Sequence, residues 1–412
     1  MVLRILLLIA LALAPVSAAA AAGDRAAIAR QFQSWLEGTL WPRARAGGIS
    51  RATFETAFAG VTPASDLPGL VPPGGRAPHR QHQAEFRAPA AYFAPSRLRA
   101  LTEKGRRMAR RHARALAAAE HQTGVPARII LAIWGRESGY GRAAPAHDAL
   151  RVLATRAFMG ARRDYFTKET IAALRIVEER HIPPRALTSS WAGALGQPQF
   201  MPSSYLAHGS DGDGDGQADI WRSEADTIAS IATYLARHGW QAERDWGFEV
   251  RVPDTVPCTL EGPDRGRSIA AWAAMGITRV SGRPFPAHEL AGEGYLMMPA
   301  GRFGPAFVAT PNFYVLKDYN MSDLYALFIG HLGDRIAFGM GDFTAPWRPL
   351  DKLSRGDIAA IQRALERRGA DVGGADGLPG YKTRRAIGAW HAATGRAPRC
   401  FPSAAVRRAL VP

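Results

Sequence analysis

A glutamate ends an apolar stretch of the sequence, and its position could make it a proton donor. Glu137 follows Ile129 by eight residues and Ile133 by four, which places its carboxyl on the helix face that both isoleucines share. Burial on such a face disfavours the charged carboxylate and raises its pKa, and a carboxyl that is protonated near neutral pH can act as a general acid. The spacing leaves a second interpretation open, in which Glu137 turns to solvent or pairs with Arg136 or Arg142.

A group of acidic residues has the spacing of a calcium-binding loop. In the segment 211–219, aspartates stand at positions 1, 3, 5 and 9 of the calcium-loop template, and Gly216 stands at position 6, where the chain must turn sharply. Arg222 occupies position 12, where the template has a bidentate glutamate, and Asp226 could replace it if the loop is longer. A solvated acidic turn and a calcium-regulated switch are the alternatives. The predicted ligands of a structural calcium ion are Asp211, Asp213, Asp215, Gln217, Asp219 and Asp226.

Helices must position most of these residues. Pro126 suits the first turn of a helix and Gly139 suits its end, so the helix that carries Glu137 should span 126–138 and be buried, because it is apolar on nearly every face. Residues 248–314 contain short runs punctuated by Pro, Gly, Val and Thr, which predicts a small strand-containing insertion. Apolar periodicity predicts further helices at 96–122, 168–180, 225–238 and 323–332.

Length and composition predict a folded protein of more than one unit. The 412 residues exceed the size at which a single core keeps growing, and 47% hydrophobic with 21% charged residues is ordinary globular composition. The formal net charge of +16 is spread along the chain, which favours polyanionic surroundings. No recognition-helix or RNA-platform motif accompanies this charge, so nucleic acid is not an expected partner.

The beginning of the sequence has the layout of a cleaved signal peptide at 1–22. Arg4 precedes the apolar run 5–14, and a stretch of small residues follows that run. The run is too short to span a bilayer, although an uncleaved anchor is the alternative. The cysteines are Cys258 and Cys400, so none stands after the apolar run to carry a lipid, and the sequence leaves their pairing open. We therefore expect an exported, periplasmic protein.

Two motifs, in the same order, resemble those of a known family. The first, residues 137–141, reads Glu-Ser-Gly-Tyr-Gly and resembles the Glu-Ser-x-x-Gly motif of lytic transglycosylases. The second, residues 190–205, is similar to the signature that follows it in the membrane-bound lytic murein transglycosylase B family. The family implies a mainly α (α+β) protein with a lysozyme-like catalytic domain over 24–345. The resemblance extends over about 32–332 and includes 48–50, 83–86, 162–165 and 312–314.

The resemblance implies an enzyme that cleaves the MurNAc–GlcNAc β-1,4 bond of peptidoglycan and leaves a 1,6-anhydromuramoyl end. Glu137 would act alone, first as the acid and then as the base, since the sugar's own C6 hydroxyl replaces an activated water. No partner carboxylate stands out near Glu137 or in the signature, whereas glycosidases of the two-carboxylate kind need one. No organic cofactor is implied. Hydrolysis by a muramidase and a non-enzymatic wall-binding protein are the alternatives.

The resemblance also implies which residues contact the substrate. Ser190 and Gln199 would bind the sugar at the cleavage site, and Arg162 and Arg163 could hold anionic peptide or lactyl groups because guanidinium groups suit carboxylates. A solvated turn is the alternative for the arginines, and a buried amide that fixes the backbone is the alternative for Gln199. The family further favours the longer calcium loop, with Asp226 as a ligand. The complete predicted set of substrate contacts is Ser138, Arg162, Arg163, Ser190, Gln199, Tyr205, Tyr234, Asn312 and Tyr319.

The end of the sequence resembles a second family. Residues 353–412 are similar to the small three-helix peptidoglycan-binding domain, and 346–352 is the predicted linker. Trp390 and His391 stand where that family usually has an aromatic residue and a glutamine, so the binding surface differs in detail. A module that packs but binds nothing is the alternative. We expect a monomer whose partners are peptidoglycan glycan strands and cell-wall synthesis proteins.

Overall fold

The structure is a computed structural model that describes residues 14–75, 89–143, 146–179 and 182–411. The first part of the predicted signal peptide, 1–13, and the motif at 83–86 lie outside the described residues. Among the described helices, none combines the length and the apolarity that are needed to cross a membrane.

The chain divides into two compact units, and each is built from two separate stretches of sequence. The first contains the described parts of Met1–Gln81 and Ala143–Ser223. The second contains the described parts of His82–Arg142 and Glu224–Pro412.

Helices dominate the described residues, and short strands form two small sheets. The α-helices in chain order are α1 (Ala14–Trp35), α2 (Trp41–Ala46), α3 (Arg51–Phe58), α4 (Pro89–Tyr92), α5 (Pro95–Arg111), α6 (Ala113–Thr123), α7 (Ala127–Ser138), α8 (Ala149–Met159), α9 (Arg163–Glu178), α10 (Pro202–His208), α11 (Glu224–Arg237), α12 (Ile269–Ala274), α13 (Pro311–Tyr319), α14 (Asp323–Phe338), α15 (Arg355–Glu366), α16 (Tyr381–Ala393) and α17 (Ala404–Leu410). The strands are β1 (His147–Asp148), β2 (Thr188–Ser189), β3 (Gly247–Arg251), β4 (Arg267–Ser268), β5 (Thr278–Arg279), β6 (Glu293–Met297) and β7 (Ala306–Ala309). The predicted mainly α fold with a strand-containing insertion is confirmed.

The predicted helices are present, and their ends differ in places. The helix that carries Glu137 is α7, which begins after Pro126 and ends at Gly139 in the left-handed conformation, with φ 59°. The predicted helix 96–122 is two helices, α5 and α6, because His112 departs from helical geometry with ψ 25°. No glycine or proline marks this break in the sequence, so the pattern gave no signal for it.

In the first unit, α8 and α9 pack together, and α3 and α10 pack against them. Ser50 caps the start of α3 with its side chain, and its hydroxyl also donates to Glu178 of α9 over 3.1 Å. Ser203 at the start of α10 donates in the same way to Glu169, a buried residue of α9, over 2.8 Å. Strands β1 and β2 pair antiparallel beside α8. These contacts hold both ends of the signature 190–205.

In the second unit, α7 is the central helix, and α5, α6, α11 and α14 pack around it. Residues 129–134 are all buried, as their apolar sequence predicts. Arg128 at the start of α7 donates to Asp245 and Asp334 over 2.5 and 2.9 Å, and Asp334 also accepts from the indole of Trp246. These polar contacts connect α7 to α14 and to the start of β3.

The insertion forms a five-stranded antiparallel sheet with the strand order β4-β6-β7-β3-β5. Val250, Leu296 and Val308 of this sheet are buried in one cluster with Trp272 of α12. The Trp272 indole donates to the Gly294 carbonyl at 2.8 Å, so the ring is fixed on the sheet. The insertion thus has an apolar core of its own.

The C-terminal helices α15, α16 and α17 enclose a separate small apolar cluster. Ser354 caps α15 through a reciprocal pair of hydrogen bonds with Asp357. Gln362 of α15 is fully buried, and its amide donates to the Leu378 carbonyl and accepts from the Gly377 amide. The glycine-interrupted segment between α15 and α16 is therefore held by one buried amide.

A covalent contact and a buried ionic contact, among others, join the C-terminal helices to the insertion. The first is a disulfide between Cys258 and Cys400, a pairing that the sequence left open. The second is a buried ion pair in which the Arg384 guanidinium donates to both carboxylate oxygens of Glu261, at 2.9 and 3.0 Å. Gly388 leaves room for the disulfide, because a Cβ there would collide with the Cys400 sulfur.

We expect replacement of Cys258 by serine to lower the free energy of unfolding by about 2–5 kcal/mol. The bridge joins residues that are 142 positions apart, so its loss releases a long loop in the unfolded chain. Thermal melting without reductant measures the change. Cys400→Ser should give the same decrease and the double variant no further decrease, since all three remove one bond. A Cys258→Ser protein that melts with the wild type would contradict this expectation.

Candidate active site

Glu137 lies in the last turn of α7, where a buried helix reaches solvent. Ile133 and Trp134, in the preceding residues, are fully buried, whereas Glu137 is half-buried. Its carboxyl is therefore partly desolvated and still accessible to a ligand. The left-handed Gly139 ends the helix directly after this turn.

The loop that follows Glu137 is held in place by a buried tyrosine. The Tyr140 hydroxyl donates to the Leu101 carbonyl at 2.9 Å, and the ring occupies the space beside two glycines. A Cβ on Gly105 would lie 2.5 Å from the hydroxyl oxygen, and a Cβ on Gly135 would lie 2.6 Å from it. Glycine is therefore required at both positions for Tyr140 to pack here.

Two polar side chains complete the loop. The Lys104 ammonium group donates to the Gly139 carbonyl at 2.7 Å. The Ser138 hydroxyl donates to the Trp134 carbonyl at 3.3 Å and accepts from the Gly141 amide at 3.0 Å. Ser138 is only 1% exposed, and both hydrogen bonds of its hydroxyl are made within this loop. The sequence predicted instead that Ser138 contacts the sugar. We therefore treat Ser138 as a positioning residue.

Tyr325 is the direct partner of Glu137, and the sequence did not identify it. Its hydroxyl donates to Oε1 of Glu137 over 2.6 Å from the first turn of α14. The tyrosine is 1% exposed, and a buried phenol needs a hydrogen-bond partner. A tyrosine inside a strongly apolar helix was the available signal, but the sequence did not show which residue would face it.

Two of the predicted tyrosines continue from Tyr325 as a row of rings. Tyr319 stacks on Tyr325 with 6.4 Å between ring centroids, and Tyr234 meets Tyr319 edge-on at 4.8 Å. The Tyr234 hydroxyl donates to the Asp318 carbonyl at 2.8 Å. The structure thus places Tyr234 and Tyr319, two of the predicted substrate contacts, in one row with Tyr325 and Glu137. Aromatic rings of this kind can pack against the apolar faces of a sugar.

Burial and two neighbouring groups have opposite effects on the pKa of the Glu137 carboxyl. Burial raises the pKa of Glu137 above its ordinary value, while the Tyr325 hydrogen bond and the Arg136 charge lower it. Within the described part of the chain, no other carboxylate contributes to this shift. The pKa of Tyr325 is itself raised, first by burial and then by the charge of Glu137, so the phenol stays protonated and donates.

Arg136 is next to Glu137 in sequence but is held away from its carboxylate. Its guanidinium donates to the Tyr92 hydroxyl at 2.8 Å and lies over the rings of Tyr92 and Phe328. Glu137 has no ion pair with any of the residues that the structure describes. The pairing with Arg136 or Arg142, which the spacing left open, is therefore not formed.

The signature 190–205 is a tightly turned segment of the first unit. Ser190 accepts a hydrogen bond from the amide at position 194, over 3.2 Å, and remains half-buried. Gln199 is half-buried in the left-handed conformation, with φ 56°, and its amide donates to the Gly196 carbonyl at 2.9 Å. A non-glycine residue in that region costs on the order of 1–3 kcal/mol, and such residues cluster at functional sites. Tyr140, beside the catalytic candidate, is another.

Tyr205 and Asn312, two other predicted sugar contacts, use their polar groups in hydrogen bonds within the protein. The Tyr205 hydroxyl donates to the Ala218 carbonyl at 2.9 Å, which ties the signature to the acidic loop. Asn312 is fully buried, and its amide donates to the carbonyls of Gln241 and Arg244 at 2.9 Å each. Both side chains position the backbone, so we do not include them among the proposed sugar contacts.

Arg162 and Arg163 are exposed at the start of α9. The Arg162 guanidinium lies 4.6 Å from the ring centroid of Tyr165, which orients its charge. Arg163 has no side-chain partner in the described part of the chain. Both cations are therefore available to an anionic ligand.

The acidic loop is ordered by its own backbone. Hydrogen bonds from the amides of Gly216 and Gly214, at 2.7 and 2.6 Å, lower the pKa of Asp211. Both glycines lie in the left-handed region, with φ 87° and 84°, so the sharp turn expected at position 6 is present. Asp213 accepts from the Ser223 hydroxyl at 2.7 Å, and Asp215 accepts from the amide two residues on. The loop is thus folded around its aspartates.

The donor set suits a hard cation. Asp211, Asp213 and Asp215 present exposed carboxylates on one short turn, and Ca²⁺ prefers oxygen ligands of this kind. Asp219 follows on the same loop, and one of its carboxylate oxygens accepts from the backbone amides of residues 221 and 222, at 3.0 and 2.9 Å. Asp226, the predicted replacement for position 12, belongs to the second unit and is fully buried in the first turn of α11.

A family model described as "Transglycosylase SLT domain" matches residues 31–334, a span that contains both motifs and the acidic loop. The chain belongs to this family. The family predicted from the residues 137–141 and 190–205 is confirmed.

Relatives of this transglycosylase SLT domain protein support the same family and fold. The chain is 35% identical over 217 residues to membrane-bound lytic murein transglycosylase B of Escherichia coli K12. This match covers 52% of this chain and 58% of that protein. This match therefore spans little more than half of the curated relative. SltB3 from Pseudomonas aeruginosa, solved in complex with NAG-anhNAM-pentapeptide, is 34% identical with a TM-score of 0.78 over 92% of this chain and 99% of that one.

A solved structure of the E. coli lytic transglycosylase Slt35, in complex with calcium, is also similar to this member of the SLT family. The identity is 25% and the TM-score 0.57, over 76% of this chain and 93% of the other. The mainly α, lysozyme-like fold that the motifs implied is confirmed by these structures.

We expect Tyr325→Phe to raise the pKa of Glu137. The tyrosine hydrogen bond stabilises the carboxylate, so its removal leaves the burial effect less opposed and favours the protonated form. An NMR titration of protein with ¹³C-labelled glutamate carboxyls measures this pKa, and Glu137→Gln assigns the resonance. Tyr295→Phe is the matched control, since Tyr295 donates at 2.6 Å to a different glutamate, Glu293. An unchanged or lower midpoint for Glu137 in Tyr325→Phe would overturn the role of this hydrogen bond.

Proposed function

We propose that the chain is a lytic transglycosylase that cleaves the MurNAc–GlcNAc β-1,4 bond of peptidoglycan. The observation that carries the proposal is the environment of Glu137, a half-buried carboxyl whose protonated form is favoured by burial and whose orientation is set by Tyr325. A group of this kind can give a proton and take one back near neutral pH. The P. aeruginosa relative supports the substrate class, because its solved complexes contain NAG-anhNAM-pentapeptide and NAG-NAM-pentapeptide.

The proposed reaction uses one carboxyl twice. Glu137 donates its proton to the glycosidic oxygen as the bond from MurNAc C1 to that oxygen breaks. The carboxylate then accepts the proton of the MurNAc C6 hydroxyl as O6 bonds to C1. One product ends in a free GlcNAc 4-hydroxyl and the other in 1,6-anhydroMurNAc, and Glu137 is protonated again. No water is consumed, because the attacking hydroxyl belongs to the same sugar.

Tyr325 suits both halves of this cycle. Its hydroxyl donates to Oε1 whether or not the carboxyl carries its proton, so the group keeps one orientation while its charge changes. The hydrogen bond also stabilises the carboxylate between the two proton transfers. Burial alone would favour the acid so strongly that the second transfer would begin from a costly anion. We assign Tyr325 as a positioning residue for the catalytic carboxyl.

The family resemblance supplies the proposed substrate contacts. Half-buried amide and hydroxyl groups suit the hydroxyls of a sugar, the tyrosine row suits its apolar faces, and the exposed arginines suit carboxylates. Hydrolysis through a second carboxylate is not favoured, since none acts on Glu137 within the described residues. The residues proposed to contact substrate are Arg162, Arg163, Ser190, Gln199, Tyr234 and Tyr319.

We further propose a structural calcium ion in the acidic loop. The turn is already formed by its glycines and amides, and its aspartates are the ligand type that calcium prefers. The E. coli relative solved in complex with calcium supports this choice of ion. The loop would provide Asp211, Asp213, Asp215, Asp219 and the backbone oxygen of Gln217, and Asp226 stays the predicted ligand for position 12.

The remaining proposals concern where the enzyme acts. The signal peptide predicted at 1–22 would export the chain to the periplasm, where disulfides form and where its peptidoglycan substrate lies. The C-terminal helices would bind peptidoglycan and keep the enzyme on an insoluble substrate. Both expectations come from the sequence, and the disulfide between Cys258 and Cys400 agrees with an oxidising compartment.

Digestion of purified peptidoglycan tests the reaction. The wild type should release fragments with anhydro ends, which are lighter by one water than the reducing ends that hydrolysis leaves. Glu137→Gln should lower the rate by at least about 100-fold, because the amide can neither donate nor accept the transferred proton. Glu103→Gln, an exposed glutamate on α5, is the control and should digest at the wild-type rate. Products with reducing ends only would indicate a muramidase, and full digestion by Glu137→Gln would remove the role of Glu137.

Removal of calcium should lower the melting temperature of the wild type. Without a cation, the aspartates of the loop repel one another, and the bound ion stabilises only the folded loop. Melting curves with calcium and with a chelator measure the effect. The variant Asp211→Asn/Asp213→Asn should melt equally in both conditions, whereas Asp254→Asn, an exposed aspartate outside the loop, should keep the calcium response. Identical wild-type midpoints with and without the chelator would refute the site.

A further inference from the structure

A cavity in the second unit has the composition of an anion-binding site. Its volume is about 500 Å³, which falls within the range of ligand pockets. Four arginines and one aspartate line it, together with residues of β3, β7 and the segment before α15. None of the residues assigned to the sugar site or to the calcium loop lines this cavity.

Arg302 holds the segments that form this cavity together. Its guanidinium donates to the carbonyls of Val252, Pro253 and Val256, at 3.4, 3.3 and 2.6 Å, and it forms an ion pair with Asp254 at 3.2 Å. Its donors are therefore largely engaged within the protein. Arg302 fixes the loop after β3, and the lone carboxylate of the cavity is paired with it.

The other three arginines are placed by their backbones, and none of the described residues pairs with their side chains. Arg251 ends β3, the Arg348 amide donates to the Phe303 carbonyl at 2.7 Å, and the Arg399 carbonyl accepts from the Arg302 amide at 3.0 Å. The guanidinium groups of Arg251, Arg348 and Arg399 are exposed and have no partner within the described part of the chain. Three unpaired cations from distant parts of the sequence thus converge on one cavity.

Part of the cavity lining is apolar. Val250, Met298 and Ala306 line the cavity and are at least nine-tenths buried. Guanidinium forks bind carboxylates in a bidentate manner, and an apolar wall accommodates small alkyl groups. A ligand that matches both features carries several carboxylates and short apolar side chains along an extended chain.

We propose that this cavity binds the stem peptide of peptidoglycan through its carboxylates. That peptide combines alanine methyl groups with residues that carry free carboxylates, and the arginines and apolar side chains of the cavity complement both. The inference rests on the proposed function for its choice of polymer. The contact would add a second attachment to the strand and favour peptide-bearing over bare glycan.

Binding of a free peptide tests this site without the chemistry of Glu137. The probe is a synthetic stem pentapeptide, N-acetylated and free of sugar, titrated into the full chain by calorimetry at low ionic strength. The wild type should bind it, and Arg251→Gln/Arg348→Gln/Arg399→Gln should bind it about tenfold or more weakly, because the charge-assisted contacts are lost. Arg99→Gln/Arg107→Gln/Arg110→Gln removes the same charge from exposed positions of α5 and should bind like the wild type.

Kinetics on two substrates separates this inference from the proposed function. On peptide-bearing strands the cavity variant should show a raised KM and an unchanged kcat, and on strands stripped of peptides it should match the wild type. Cleavage of both substrates without peptide binding would overturn the inference alone. Absence of any cleavage by the wild type would overturn the proposed function. Equal weakening in the α5 variant, or tighter binding of a glycerol phosphate oligomer than of the peptide, would also overturn the stem-peptide site.

Discussion

A carboxyl that is half removed from water, and whose proposed role requires its charge to change, is the constraint on which much of the second unit depends. Desolvation of Glu137 requires that α7 be buried on nearly all sides, so four helices surround it. One of them, α14, must also provide a hydrogen-bond donor at the point where the carboxyl emerges, and Tyr325 meets that need. The tight turn after Glu137 requires glycine at positions 105 and 135, because Tyr140 fills the space beside both.

The choice of partner for Glu137 follows from the same constraint. A guanidinium in direct contact would favour the carboxylate and oppose the protonated state that an acid needs. Arg136 lies close enough to act on the pKa, but the Tyr92 hydroxyl and two aromatic rings hold its charge elsewhere. A neutral phenol provides orientation with a weaker bias toward the anion. The combination keeps both protonation states accessible to one group.

The sequence predicted those features that depend on local pattern. The face of α7, its end at Gly139 and the glycine turn of the acidic loop follow from periodicity and backbone preference, and they are present in the structure. Features that depend on which helices meet were not predictable, and Tyr325 is the main example. The motifs also could not separate contact from support, since Ser138, Tyr205 and Asn312 use their polar groups within the protein.

The sequence also could not predict the pairing of cysteines 142 positions apart or the buried contact of Glu261 with Arg384, because both depend on which distant segments meet. Together these contacts change how the C-terminal helices can act. A flexible tether raises local concentration but sets no direction, whereas a fixed attachment holds any binding surface at one orientation to the rest of its unit. Removal of either partner of a buried ion pair leaves an uncompensated charge, so this attachment resists opening.

Arg399 stands next to the disulfide cysteine and lines the arginine cavity, so the bond that fixes the helices also fixes one cation of that cavity. The attachment of the C-terminal helices and the proposed stem-peptide site are therefore linked through the adjacent positions 399 and 400.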